Sequence, residues 1–409
     1  MRWNNERRRA APAALLSSRR RPGGEGRVKT WPKAALGDLL VRADETAVLD
    51  PMAEYHEVTI RLWGKGIVSR GKVLGSDVVS ARRVVRANQL ILSRIDARNG
   101  AIGLIPPQLD GAIVSNDFPA FAFRDPERCD AAFIGWLVRS APFVELCKAA
   151  SEGTTNRVRI KEDRFLDQKI ALPPLAEQQA LVARLETLAE KTRQLQDHLD
   201  AAERDAERLL STRFRAAIAN APLRTMADVA PLVRRQVTID PETSYTELGV
   251  RSFFKGTFQR RTVSGADFSW QDIYRVKTND LIFSNIMAWE QAIAIARPED
   301  DNCVGNHRML TCVAAPERTV PRFIWYYFTT LEGFAKIEAA SPGTAARNKT
   351  MTALALMAIE VPLPPLPTQQ AFDRLQAEVT ALKAKHTAIR TANAALLPAT
   401  LERVFAEPA

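Results

Sequence analysis

The chain has 409 residues and is 46% hydrophobic, 25% charged and 7% aromatic, a globular composition that excludes collagen-like, low-complexity and wholly disordered classes. Its length exceeds one ordinary core and implies two or three domains, and no uncharged apolar run approaches the ~20 residues of a bilayer-spanning helix. The net charge is +10, but residues 1–30 hold nine Lys/Arg against two Glu and supply +7 of it, so any polyanion-binding surface on the remainder must come from local clustering.

In chain order, residues 1–30 read as a basic, disordered tail or an extension upstream of the true start, with a nucleic-acid arm or an Arg-rich transit peptide as alternatives. Residues 31–175 read as a mixed, strand-rich module. Within it Leu90–Ile95 and Ala101–Ile105 are short apolar runs after Asn88 and predict a hairpin. Phe133–Val144 carries aromatic and aliphatic residues at helical spacing and predicts a buried helix stripe. The stretch Gly66-Ile67-Val68-Ser69-Arg70-Gly71-Lys72-Val73 imitates a phosphate-binding loop. Val73 stands where magnesium ligation needs a hydroxyl and no helical pattern follows, so a basic turn is expected there instead.

Pro173-Pro174 ends this module, because proline donates to no ladder and holds its predecessor extended. Residues 176–220 then predict one long helix. Leu181, Leu185, Leu188, Thr192, Leu195, Leu199, Ala202, Ala206 and Leu209 alternate by four and three, the period of a coiled-coil seam. Residues 221–362 repeat the first module, with hairpin runs Asp280–Ile286 and Ala292–Ala296 after Asn279 and a helix stripe at Phe323–Phe334. Residues 363–409 give a second long helix with seam Phe372, Leu375, Val379, Leu382, His386, Ile389, Asn393 and Leu396, ending just before Pro398.

An offset of about 190 residues links the halves. Asp50-Pro51 and Tyr55 meet Asp240-Pro241 and Tyr245; Arg61 and Lys65-Gly66 meet Arg251 and Lys255-Gly256; Asn116 meets Asn306; Gly153-Thr154 and Arg157 meet Gly343-Thr344 and Arg347; Leu172-Pro173-Pro174-Leu175 and Gln178-Gln179 recur as Leu363-Pro364-Pro365-Leu366 and Gln369-Gln370. Neither long helix is stable with one apolar stripe exposed. The simplest arrangement pairs them antiparallel within the chain; the rival packs each stripe on its own module. A helix of about 40 residues spans roughly 60 Å, so two basic modules at opposite ends of such a pair would act as a ruler between two DNA sites.

The chemistry argues for binding over turnover. Cys129, Cys147, Cys303 and Cys312 show no metal spacing and read as reduced core thiols of a cytoplasmic protein. No catalytic motif is present, and the four histidines are scattered and unmatched between copies. Basic and amide residues instead recur at matching places. Arg61, Lys65, Arg94, Arg98, Asn99, Arg157, Arg159 and Lys161 in the first module, and Arg251, Lys255, Arg260, Arg261, Asn285, Arg308, Arg347 and Lys349 in the second, are the candidate DNA-binding residues. Lys and Arg supply phosphate contacts, and Arg and Asn can read base edges. No residue is a candidate catalyst or metal ligand.

Leu36-Gly37-Asp38, Ala97-Arg98-Asn99-Gly100-Ala101, Ser115-Asn116-Asp117-Phe118-Pro119 and Leu172-Pro173-Pro174-Leu175-Ala176-Glu177-Gln178-Gln179 resemble the DNA specificity subunit of type I restriction-modification systems, over nearly the whole chain from Trp31. The second copy departs at Asn306-His307-Arg308 and Leu366-Pro367-Thr368-Gln369-Gln370. The resemblance implies an α+β fold with two pseudo-symmetric target-recognition domains, separated by an antiparallel two-helix coiled coil, each reading half of a split double-stranded DNA site. It implies a non-catalytic chain, monomeric in itself, that joins two methylation subunits carrying adenosylmethionine and motor-nuclease subunits using ATP and magnesium, with no cofactor of its own. A stand-alone nuclease of unrecognised type, and a coiled-coil scaffold binding RNA or protein, are the alternatives.

Overall fold

The computed structural model describes residues 31–153, 158–268, 272–343 and 349–406; the basic segment 1–30, Arg157 and Arg347 lie outside them. The chain divides into two compact units, one of Met1–Arg193 with Asn393–Ala409, the other of Gln194–Ala392. Each unit therefore contains one mixed module and part of both long helices.

In the first unit, Glu54–Ile60 and Ile67–Leu74 form an antiparallel hairpin, Ala112–Val114 lies parallel to the former, and Arg83–Val85 completes a four-stranded sheet. A second four-stranded sheet orders Leu40–Ala43, Ala120–Phe123, Leu90–Leu92 and Ile102–Leu104. The last two strands are the expected hairpin, and Asn88 takes the left-handed conformation (φ 63°) that the turn before it needs. The pseudo-phosphate loop lies mostly on the strand Ile67–Leu74, not in a basic turn. A phosphate loop must open a helix, which this backbone does not do.

The second unit repeats the plan. Ser244–Val250 pairs antiparallel with Thr257–Ser264 and parallel with Val304–Asn306, which pairs with Ile273–Arg275. The expected hairpin is Leu281–Ser284 with Ile293–Ile295, and Asn279 again has positive φ. The repeated sequence identities have physical causes. Tyr55 Oη accepts the Asp50 N–H and Tyr245 Oη the Asp240 N–H, each at 2.9 Å.

Each stretch expected as one helix stripe is two helices. Ala131–Leu137 gives way to Ala141–Ala149, which Ser140 caps, and Pro321–Thr329 to Leu331–Ala339, which Thr330 caps. A hydroxyl that accepts the N–H three residues on starts a new helix more readily than it continues an old one. Both faces are still core: Phe133, Ile134, Phe143 and Cys147, and Phe323, Ile324, Tyr327 and Phe328, are buried.

The long helices run Leu175–Ile218 and Leu366–Phe405, the second passing through Pro398 instead of stopping before it. Leu401 and Phe405 beyond the proline are buried in the first unit's core, Phe405 packing edge-on against Phe133 at 5.6 Å. That burial offsets the lost helical hydrogen bond.

The helices pair antiparallel in both units. In the first, Asn393 Nδ2 donates to the Thr192 carbonyl at 2.8 Å. In the second, Lys383 meets Glu207, His386 Nδ1 lies 3.1 Å from Glu203, and Arg390 binds Glu203 and Asp200, each at 2.5 Å. Packing on the modules, the rival arrangement, coexists with pairing: Val182 and Leu185 enter the first core, while Phe214 stacks with Phe323, Tyr326 and Phe372 in the second.

The seam differs from expectation by one residue at every second step. Leu185, Thr192, Leu199 and Ala206, and Phe372, Val379, His386 and Asn393, do face inward. Val182, Ala189, Gln196, Glu203 and Leu210, and Gln376, Lys383, Arg390 and Leu397, also face inward, each one residue beyond a position of the heptad reading, while the expected Leu181, Leu188 and Leu375 are half-buried. Leu195, Leu209, Leu382, Ile389 and Leu396 are exposed. Glu203, Lys383 and Arg390 hold inner positions and bond across the seam, a pattern that a count of apolar residues cannot register.

Candidate nucleic-acid interface

The expected binding residues distribute over loops and sheet edges of the two modules. Arg61 and Lys65 are exposed on the tight connection between Ile60 and Ile67, and Arg251 and Lys255 on the matching connection between Val250 and Thr257. Arg251 is partly engaged, donating to the Thr257 carbonyl at 2.7 Å and lying 4.8 Å over the Phe258 ring. Each connection presents an exposed aromatic at its tip, Trp63 and Phe253.

Three of the expected residues are tied into the fold. Arg94 is bound by Glu162, which also pairs with Arg42 at 2.8 Å. Arg98 and Asn99 sit half-buried in the turn Ala97–Asn99, where Asn99 donates to Asp96 and its carbonyl accepts the Trp63 N–H. They shape the tip more than they extend beyond it. Arg159 is half-exposed although it pairs with Asp117 at 3.0 Å, and Lys161 is exposed immediately before the helix Glu162–Leu166.

In the second module Arg260 and Arg261 flank one buried carboxylate, Glu247, at 3.8 and 3.1 Å, yet both guanidinium groups remain more than half exposed. Glu247 thereby holds both cations, and Arg260 lines a cavity of about 330 Å³. Arg308 lines the same cavity with Asn306, Ser284, Phe258 and Met309. Asn285, beside it, keeps a buried Oδ1 with no hydrogen-bond partner, although its backbone is fixed by Arg308 and Met351. Lys349 lies 5.0 Å over the Trp289 ring. The structure thus gathers Arg260 and Arg308 into one recess, and adds Asn306, which the repeat comparison marks but which is not among the expected binding residues.

Arg83 Nε donates to Asn116 Oδ1, the counterpart of Asn306, at 3.0 Å, whereas Asn306 Oδ1 accepts the Arg308 backbone N–H at 3.0 Å. The departure Asn306-His307-Arg308 from the first copy therefore coincides with a different local wiring. Burial pushes the thiols of Cys129, Cys147 and Cys312 up to about 12, which disfavours the thiolate. Among the described residues no cluster of His, Cys, Asp or Glu could hold a metal ion, and no helix is long and apolar enough to cross a membrane.

A buried glutamine joins each module to the helix that follows. Gln178 Oε1 accepts the Asp130 N–H at 2.8 Å, while its Nε2 donates to the carbonyls of Arg128 and Pro173 at 3.0 and 2.8 Å. Gln369 repeats this with the Val320 N–H and the carbonyls of Arg318 and Pro364. The recurring proline-proline and glutamine spacing is the signature of this latch.

No family model matches the chain, and no curated protein matches it. Solved structures do. The HsdS subunit from Thermoanaerobacter tengcongensis is 22% identical, with a TM-score of 0.62 over 93% of this chain and 98% of that one. A chain from a structural study of complex assembly and conformational transition in the type I R-M system is also 22% identical, with a TM-score of 0.62 over 92% and 97%. With its duplicated modules and its two long helices, the chain has the fold of the HsdS specificity subunits of type I restriction-modification systems.

Proposed function

We propose that this chain is the sequence-specific DNA-binding subunit of a cytoplasmic type I restriction-modification complex, and that it catalyses nothing itself. Residues 31–175 and 221–362 act as target-recognition domains, each reading one half of a bipartite site. The observation that carries the reading is the duplication of an exposed, basic hairpin tip, Arg61–Gly66 and Arg251–Gly256, at equivalent places in a fold shared with specificity subunits. A two-stranded β-ribbon fits the major groove, and flanking cations hold phosphates.

The long helices set the spacer and offer partners a surface. Leu195, Leu209, Leu382 and Ile389 lie exposed beside the seam of the second unit's helix pair, on the flank that antiparallel pairing brings together. Such apolar residues on a solvated helix pair suit further helices from methylation subunits. Adenosylmethionine, ATP and magnesium belong to those subunits and to the motor-nuclease subunits.

The test is binding of the purified chain to double-stranded DNA. Affinity is expected to fall steeply and linearly with log salt while a preferred sequence keeps its advantage over a scrambled duplex. A salt-independent interaction, or cleavage or methylation by the chain alone, would contradict the reading.

A further inference from the structure

Trp63 and Phe253 are 65% and 64% exposed, and each has φ of 60°. A bulky residue in that left-handed region is an outlier that persists only when its surroundings over-determine it. Here they do so twice. Arg61 N–H donates to the Gly66 carbonyl and Arg251 N–H to that of Gly256, each at 2.9 Å; Trp63 and Gly64 donate to the Asn99 and Gly100 carbonyls at 3.0 Å, and Phe253 and Phe254 to those of Glu290 and Gln291 at 2.9 Å.

The two tips reach this geometry by different packing. A Cβ on Gly64 would lie 2.9 Å from Arg139, and one on Gly100 3.0 Å from the Trp63 backbone, so both positions need glycine. In the second tip Phe254 anchors the loop edge-on against Trp325 and Phe334, at 6.1 and 6.3 Å. Neither exposed ring contributes to a core. The fold holds the backbone beneath each exposed ring in a strained, fixed geometry, with Arg61 and Lys65 around Trp63 and with Lys255 Nζ 5.5 Å from the Phe253 ring. Glu290, the acid at the second tip, is hydrogen-bonded by Ser252.

We propose that Trp63 and Phe253 are specificity-determining contacts, one in each module, each ring making apolar contact with base edges in the groove while its neighbouring cations hold the phosphates. Aromatic and apolar side chains read bases in this way, and an aromatic side chain on a fixed backbone has only two torsions to lose on binding. The proposal rests on the DNA-binding reading above and deepens it.

The experiment selects from a double-stranded library with a random core, using the full chain as wild type, Trp63→Asn, Phe253→Asn and Trp63→Phe. Asparagine tolerates the left-handed backbone, so thermal unfolding midpoints should hold or rise. Each Asn variant should bind the wild-type duplex at least tenfold more weakly and lose base preference in one half-site only, a different half for each. The salt slope should not change, since no phosphate contact is removed, and Trp63→Phe should keep the motif. Asn variants that enrich the wild-type motif with wild-type affinity would overturn this proposal alone, as would equal loss in both halves. If the wild type enriches nothing, the DNA-binding reading falls first and takes this one with it.

Discussion

The carboxamide of Gln178 is satisfied at both ends by backbone groups of the module it joins. Its replacement by alanine leaves a buried N–H and two carbonyls without partners. We expect Gln178→Ala to cost about 2–4 kcal/mol in urea unfolding, because each stranded group carries its own desolvation penalty. A loss under half a kcal/mol would mean that water substitutes for the amide. Arg308 lines the recess of the second module with no acid paired to it among the described contacts. Arg308→Ala is expected to cost about 1–3 kcal/mol at one base position, relaxing preference there, as measured by affinity for single-base variants of the preferred duplex. The residue-scale chemistry was partly legible in the sequence. Tip cations and Asn306 stood out through the repeat, whereas Arg94 looked available because its partner Glu162 lies far along the chain. The aromatics Trp63 and Phe253 went unmarked because sequence carries no sign of backbone φ.

At the scale of elements, the seam decides how the helices are held. Leu199 is 6% exposed and Leu195 37%, although the heptad reading treats them alike. Leu199→Ala is expected to cost about 2 kcal/mol or more and Leu195→Ala well under half of that, in thermal or urea unfolding; equal costs would restore the leucine-only seam. The polar layer should be sensitive to acid. Hydrogen bonding from Arg390 holds the carboxyls of Glu203 and Asp200 below their ordinary values, with His386 adding to the effect at Glu203. Carboxylates depressed in the folded state stabilise it above their unfolded pKa, and the contribution is lost as pH falls through the folded value. The wild type should therefore exceed Arg390→Met in melting temperature at pH 6, and the difference should close below the ordinary carboxylate values of 4.5 and 3.8. A constant difference down to pH 3 would assign the effect to packing of the arginine stem. The hairpins and both long helices were readable from period and punctuation. The seam's exact face was not, because half-buried Gln196, Glu203 and Arg390 defeat a hydrophobic template. The helix breaks at Ser140 and Thr330 were hidden by continuous apolar spacing.

For the whole molecule, the central claim is that two modules read separate half-sites and that the long helices fix the gap. A heptad added to each helix within the paired region keeps the seam in phase. It lengthens each by about 10 Å, the length of about three base pairs. The decisive measurement is the double-stranded sequence enriched from a random library by the wild type and by this doubly extended chain. The account expects two unchanged half-sites with the gap between them altered by about three base pairs. Half-sites that change while the gap stays fixed, or a single uninterrupted motif in both cases, would contradict it.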